Sequence, residues 1–195
     1  MKHDPQKIAQ LYDDIADVYS DFYDDYEAAL KKQGEDLANV LTKLSVLPSS
    51  KVLDFSCGIG TQAIGLSKQG YFVTGSDISP KSIEEAKENA KKYQQNIPFK
   101  VADMCNIEKH FSPKFDALIS CGNSLAHILS EEELSRIFSS AKNLLRPGGI
   151  LLFALTDHEG KEREEKVFYD PHVKETDKER TINFQLWKWI EKGIT

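Results

Sequence analysis

Five short β-branched and aromatic runs, most of them separated by helical stretches, constrain this chain more than any other feature of it. The runs fall at 51–55, 72–76, 99–102, 117–120 and 150–154, and helical patterns fill 61–69, 80–93 and 131–145. Strands alternating with helices at this spacing predict a parallel sheet covered on both faces, an α/β doubly wound arrangement of the Rossmann type. The punctuation agrees. Gly70 follows one helix, Ser79-Pro80 opens the next, Ser130 with Glu133 reads as a capping box, and Pro147-Gly148-Gly149 turns the chain into its last buried run.

The alternation begins only at residue 51. Before it, Asp4-Pro5 reads as a helix start. Ile8, Leu11, Tyr12, Ile15, Tyr19, Phe22, Tyr23 and Tyr26 recur at steps of three and four, one aromatic stripe along a helix. Leu30, Leu37, Val40, Leu41 and Leu44 continue the pattern until Pro48. The expected organisation is one domain: a helical lid over 1–48, a core over 51–156, and a charged connection over 157–195 that begins a substrate-covering element. Within the last part, 182–190 reads as a single strand whose partner does not follow, and the run from 159 to 180 reads as exposed connection. The expected sheet therefore has about five main strands, with 150–154 near an edge. An open apolar edge, together with Trp187 and Trp189, calls for cover by the lid or by a second subunit, a homo-oligomer formed through the C-terminal region.

The loop after the first run carries the chemistry. Gly58-Ile59-Gly60-Thr61-Gln62-Ala63 fits G-x-G-x-x-A, a pattern in which glycines let a ligand approach the backbone and a helix N-terminus points at it. Asp77, ending the next strand, suits a pair of ribose hydroxyls. These features serve a nicotinamide dinucleotide as well as other ribose-bearing ligands. Asp54 separates the readings, because beside a pyrophosphate it would add a third negative charge at low dielectric. A cationic ligand would be attracted instead. A plainer role is also open to it, capping the loop's own amides.

Val52-Leu53-Asp54-Phe55-Ser56-Cys57-Gly58-Ile59-Gly60 resembles the first motif of class I S-adenosylmethionine-dependent methyltransferases. Gly75-Ser76-Asp77-Ile78-Ser79 is similar to their second motif, Ala102-Asp103-Met104 to their third, and Leu145-Arg146-Pro147-Gly148-Gly149 to the turn before their fifth strand. The runs 57–65 and 121–127 resemble most the glycine/sarcosine N-methyltransferase branch. The resemblance implies S-adenosylmethionine as cofactor, whose ammonium and sulfonium would meet Asp54 favourably. It implies that Ser56, Cys57, Gly58 and Gly60 hold the methionine part through backbone contacts, and that Asp77 takes the ribose hydroxyls with Ile78 on the adenine. Asp103 would accept from the adenine amino group, Met104 would lie beside the ring, and Cys121 would face the donor. Asn123 and Ser124 would border the substrate space. Tyr12 and Tyr19 would lie on the lid, Tyr19 reaching the substrate too, and Gln33 would make a contact from the following helix.

The totals narrow the partners. A formal charge of −6 argues against a nucleic-acid substrate. The polar N-terminus lacks a signal-peptide core and no run reaches membrane-spanning length, so a cytoplasmic protein is expected. Cys57, Cys105 and Cys121 show no metal-like spacing. Cys121 reads equally as a small buried hydrophobe, and His127, just before a capped helix, receives no catalytic role. Methyl transfer needs alignment more than a catalytic group, and no catalytic residue is assigned. The lid acids Asp13, Asp14, Asp17, Asp21, Asp24, Asp25 and Glu27 would mostly face solvent, and a few would draw in a cationic amine. A glycine-type acceptor would call for an arginine after the fifth strand, where Leu155-Thr156-Asp157-His158 stands instead. The leading reading is a small-molecule methyltransferase acting on an amine nitrogen. A nicotinamide-dependent oxidoreductase and a non-catalytic S-adenosylmethionine-binding domain are the alternatives.

Overall fold

In the computed structural model, residues 4–112 and 114–156 are described in full, together with the backbone of five short strands between 166 and 194. Strands β1 (Lys51–Asp54), β2 (Phe72–Asp77), β3 (Phe99–Val101), β4 (Phe115–Ser120) and β5 (Leu145–Phe153) pair in the order β3-β2-β1-β4-β5, all parallel. The chain winds outward from β1 to β3, then returns to lay β4 on the other flank of β1. That reversal opens a crevice beyond the carboxyl ends of β1 and β4, the place where open α/β sheets bind ligands.

Successive strand residues point to opposite faces, and the core divides accordingly. Val52, Val73, Ala117 and Ile119 pack with Leu30, Leu41, Ile64, Leu66 and Ile83 on one face. Leu53, Phe55 and Leu118 pack with Ile107, Ile137, Ala141 and Leu144 on the other. Helices α2 (Tyr26–Lys43), α3 (Thr61–Lys68) and α4 (Pro80–Lys92) supply the first face, and α5 (Glu131–Leu144) the second. Each fully buried Leu, Ile or Phe contributes about 1.5–3 kcal/mol. Where α2 crosses α3, two glycines meet. A methyl group on Gly34 would stand 2.5 Å from a backbone atom of Gly65, and one on Gly65 would stand 2.6 Å from the Leu30 carbonyl oxygen. Only hydrogen fits at either position.

The lid differs from one continuous aromatic helix. Helix α1 (Pro5–Ile15), started by Asp4 accepting from the Lys7 amide, gives way to a 3-10 segment over Ala16–Phe22. Asp17, Val18, Tyr19 and Ser20 are poor helix formers, and Asp25 caps a fresh start by accepting from the Ala28 amide at 3.0 Å. The Pro147-Gly148-Gly149 turn is likewise a bulge inside β5 rather than an approach to it. Phe115 pairs with Leu145 and Ala117 with Ile150, so the residues between loop out of register.

The C-terminal expectations need correction. The 182–190 run is two strands, β8 (Arg180–Asn183) and β9 (Leu186–Ile190), in different sheets. Strand β9 does have partners, β6 (Lys166–Phe168) and β10 (Gly193–Ile194), both antiparallel. The charged run holds β6 and β7 (His172–Glu175), the latter pairing with β8 so that Glu175 stands opposite Arg180. The burial of Trp187 and Trp189 lies outside the described residues. Among the described residues, no helix is long and apolar enough to cross a membrane.

Candidate functional site

The loop from Asp54 to Thr61 turns between β1 and α3 and forms the floor of the crevice. Four of its amide groups are already engaged. Ser56 donates to Asp54 Oδ1 at 3.4 Å, Cys57 to the Ser76 carbonyl at 2.9 Å, Gly58 to Asp77 Oδ2 at 2.8 Å, and Gly60 to the Cys57 carbonyl at 2.8 Å. Gly60 precedes α3 with φ of 90°, a left-handed conformation that a side chain would strain, and Ala86 packs close beneath it. Gly58 also has positive φ, and a methyl group placed on it would meet nothing within 4 Å. The space above Gly58 is open to a ligand.

The carboxylates sit at graded depth. Asp54 is 1% exposed, and its Oδ2 has no hydrogen-bond partner. Burial pushes its pKa up to about 8, opposed by the Ser56 amide and reinforced by Asp77. Asp77 also has a raised pKa from burial, moderated by the amides of Ser79 and Gly58 that it accepts from. Asp103 is half-buried and holds the Cys105 amide at 2.8 Å. Cys121 is buried, which lifts its thiol to about 12 and leaves it no nucleophilic character at neutral pH.

Above this floor lies a cleft of about 860 Å³, its open mouth included. Of the residues expected at the site, Tyr12, Tyr19, Ser56, Cys57, Gly58, Asp77, Ile78, Asp103, Met104, Cys121 and Ser124 line it together. Four others do not. Asp54 and Gly60 are buried within the loop and do not line the cleft. Gln33 accepts from Gln62 Nε2 at 2.7 Å, and it is Gln62 that reaches the cleft. Asn123 is turned away to Thr156, donating to its hydroxyl at 2.8 Å and accepting from its amide at 2.5 Å, which ties the end of β4 to the end of β5.

The sequence reading missed Ile8, Tyr23, Gln62 and His127 as lining residues. His127 ends a short 3-10 turn after β4, and its Nε2 lies 2.9 Å from the Tyr12 hydroxyl, with the two rings edge to face. Burial raises the Tyr12 pKa to about 12, so its hydroxyl stays protonated at neutral pH. A pairing across 115 residues leaves no local signature. Of the lid acids, Asp14, Asp17, Asp24, Asp25 and Glu27 are exposed while Asp13 and Asp21 are part-buried.

The methyltransferase domain family matches residues 52–149, half of the chain. A glycine/sarcosine N-methyltransferase of Aphanothece halophytica is 32% identical over 104 residues, 53% of this chain and 39% of that one. A ubiquinone biosynthesis O-methyltransferase of Coxiella burnetii is 34% identical over 108 residues, 55% of this chain and 44% of that one. The crystal structure of Streptomyces venezuelae DesVI superimposes with a TM-score of 0.74 at 21% identity, covering 92% of this chain and 72% of that one. This chain spans about half or less of the length of the curated relatives it matches.

Proposed function

The chain belongs to the methyltransferase domain family, and from that premise we propose that it transfers a methyl group from S-adenosylmethionine to a small molecule, with an amine nitrogen as acceptor. One observation carries the choice of ligand over a nicotinamide dinucleotide. The amides of Ser56, Cys57, Gly58 and Gly60 are all bonded within the chain, so they are not free to cradle a pyrophosphate. The carboxylates of Asp77 and Asp103 line the cleft, whereas Asp54 is buried outside it and keeps its proton at neutral pH. Such a floor repels an anion and suits a ligand that carries positive charge.

The residues present fit that cofactor. Carbonyl oxygens of the 56–60 loop would hold its amino-acid end, Asp77 its ribose, Ile78 and Met104 the faces of its adenine, and Asp103 the adenine amino group. When bound, the group supplies an activated methyl carbon. The chain's own work is to orient an acceptor toward that carbon and to exclude water, with Tyr19, Tyr23, Ser124 and His127 among the residues that line the cleft. The preference for nitrogen rests on the acidic lid and on the likeness to an N-methyltransferase, while the likeness to an O-methyltransferase keeps a hydroxyl acceptor as the second reading. A homo-oligomer through the C-terminal region belongs to the same proposal, motivated by the edge position of β5.

The test is transfer of radiolabelled methyl groups from S-adenosylmethionine to panels of amines and phenols. Label on amines supports the reading, and label on phenols alone moves the acceptor to oxygen. Turnover of reduced nicotinamide without methyl transfer would overturn the reading.

A further inference from the structure

Two consecutive residues of α1 grip opposite walls of the cleft. Tyr12 meets His127 on the wall that follows β4. Asp13 meets the wall that follows β2, where its Oδ1 accepts from the Ser79 hydroxyl at 2.5 Å and from the Lys81 amide at 3.0 Å. Ser79 is fully buried, caps α4 by accepting from the Ser82 amide, and donates its own amide to Asp77. Asp77 in turn holds the Gly58 amide. A chain of hydrogen bonds therefore runs from the lid through the α4 start to the floor of the cleft. Ile8 and Tyr12 of α1 line the cleft, so this helix lies across it as a strap.

Resting on the reading of the cleft as a donor site, we propose that Asp13 is a positioning residue that holds this strap shut and sets the rate at which the donor and its spent product pass. Both Asp13 contacts are made wholly within the chain, to a hydroxyl and to a first-turn helix amide, and both are charge-assisted. Closure needs no atom of the ligand. Breaking the latch therefore speeds uptake and release alike and leaves the affinity nearly unchanged. A residue that touched the donor would behave differently, since its loss would raise the release rate alone.

Stopped-flow binding of S-adenosylhomocysteine to the full chain tests this, with hydrogen exchange of the α1 amides as a second readout. In Asp13→Ala both rate constants should rise about tenfold, as the loss of hydrogen bonds to a charged group implies, while Kd stays within about threefold of wild type. Exchange over 5–15 should quicken in step. Asp13→Asn keeps the shape without the charge, so its rates should fall between those of wild type and Asp13→Ala. Rates within about threefold of wild type in Asp13→Ala, or a faster release without faster uptake, would overturn the latch. Failure of wild type to bind S-adenosylhomocysteine would remove the donor reading and the latch together, whereas normal binding with unchanged rates in the variant removes the latch alone.

Discussion

Replacing Asp54 by asparagine should stabilise the protein, and increasingly so as the pH rises. The carboxyl is 1% exposed, one oxygen receives only a 3.4 Å bond from the Ser56 amide, and the other receives none. Burial therefore holds its pKa at about 8 in the folded chain, against ~3.9 for an aspartate in an unfolded one. Between those values the folded state keeps a proton that the unfolded state has released. The folded pKa is the higher of the two, so the group's contribution is complete below about pH 4 and is lost as pH rises toward 8. The slope approaches 1.4 kcal/mol per pH unit, or about 3 kcal/mol between pH 5 and pH 7.5. Asparagine has the same shape and binds no proton, and the other titrations are shared apart from the mutual effect with Asp77. Urea unfolding of both proteins across that range gives the difference directly. The stability of Asp54→Asn relative to wild type should climb by about 3 kcal/mol. A difference constant to about 0.5 kcal/mol would refute the assignment of a buried, protonated carboxyl at this position.

Asp77→Ala should weaken binding of S-adenosylmethionine by about 1.5–3 kcal/mol, the cost of unmade hydrogen bonds to a charged group. Asp103→Ala should cost less, because only the adenine edge would lose a partner; calorimetry showing equal affinity for Asp77→Ala and wild type would contradict the ribose role. Gly65→Ala should destabilise the fold by about 2 kcal/mol despite alanine's better helix propensity, because the added methyl would meet backbone of α2 at 2.6 Å. The melting temperature should fall by about 4–8 °C, and an unchanged or raised value would show that the helices separate freely.

The sheet was legible because its central strands β1, β2 and β4 are largely buried on both faces and so read as apolar runs between capped helices. Asp4 and Ser79 cap as their positions suggest, each accepting from the amide three residues on. The break after Ile15 was not legible, since the aromatic stripe keeps helical spacing through a segment that the chain winds more tightly. At the site, the residues brought to the cleft come mostly from strand ends and the loop, where motif and position coincide. Asn123 and Gln33 failed for one reason, that a polar side chain has several partners within reach. Thr156 and Gln62 claim them, and neither pairing follows from a local pattern. His127 was missed in the opposite sense: its partner Tyr12 belongs to the lid, and only folding brings the lid to the end of β4.

The central claim is that the floor over Gly58 and Gly60 takes a cationic, ribose-bearing methyl donor and not a dinucleotide. Calorimetric titration of S-adenosylmethionine and of a nicotinamide dinucleotide into the same preparation tests it most directly. The account predicts a saturable one-to-one isotherm for the first and no measurable heat of binding for the second. Saturable binding of the dinucleotide with none of S-adenosylmethionine would contradict it.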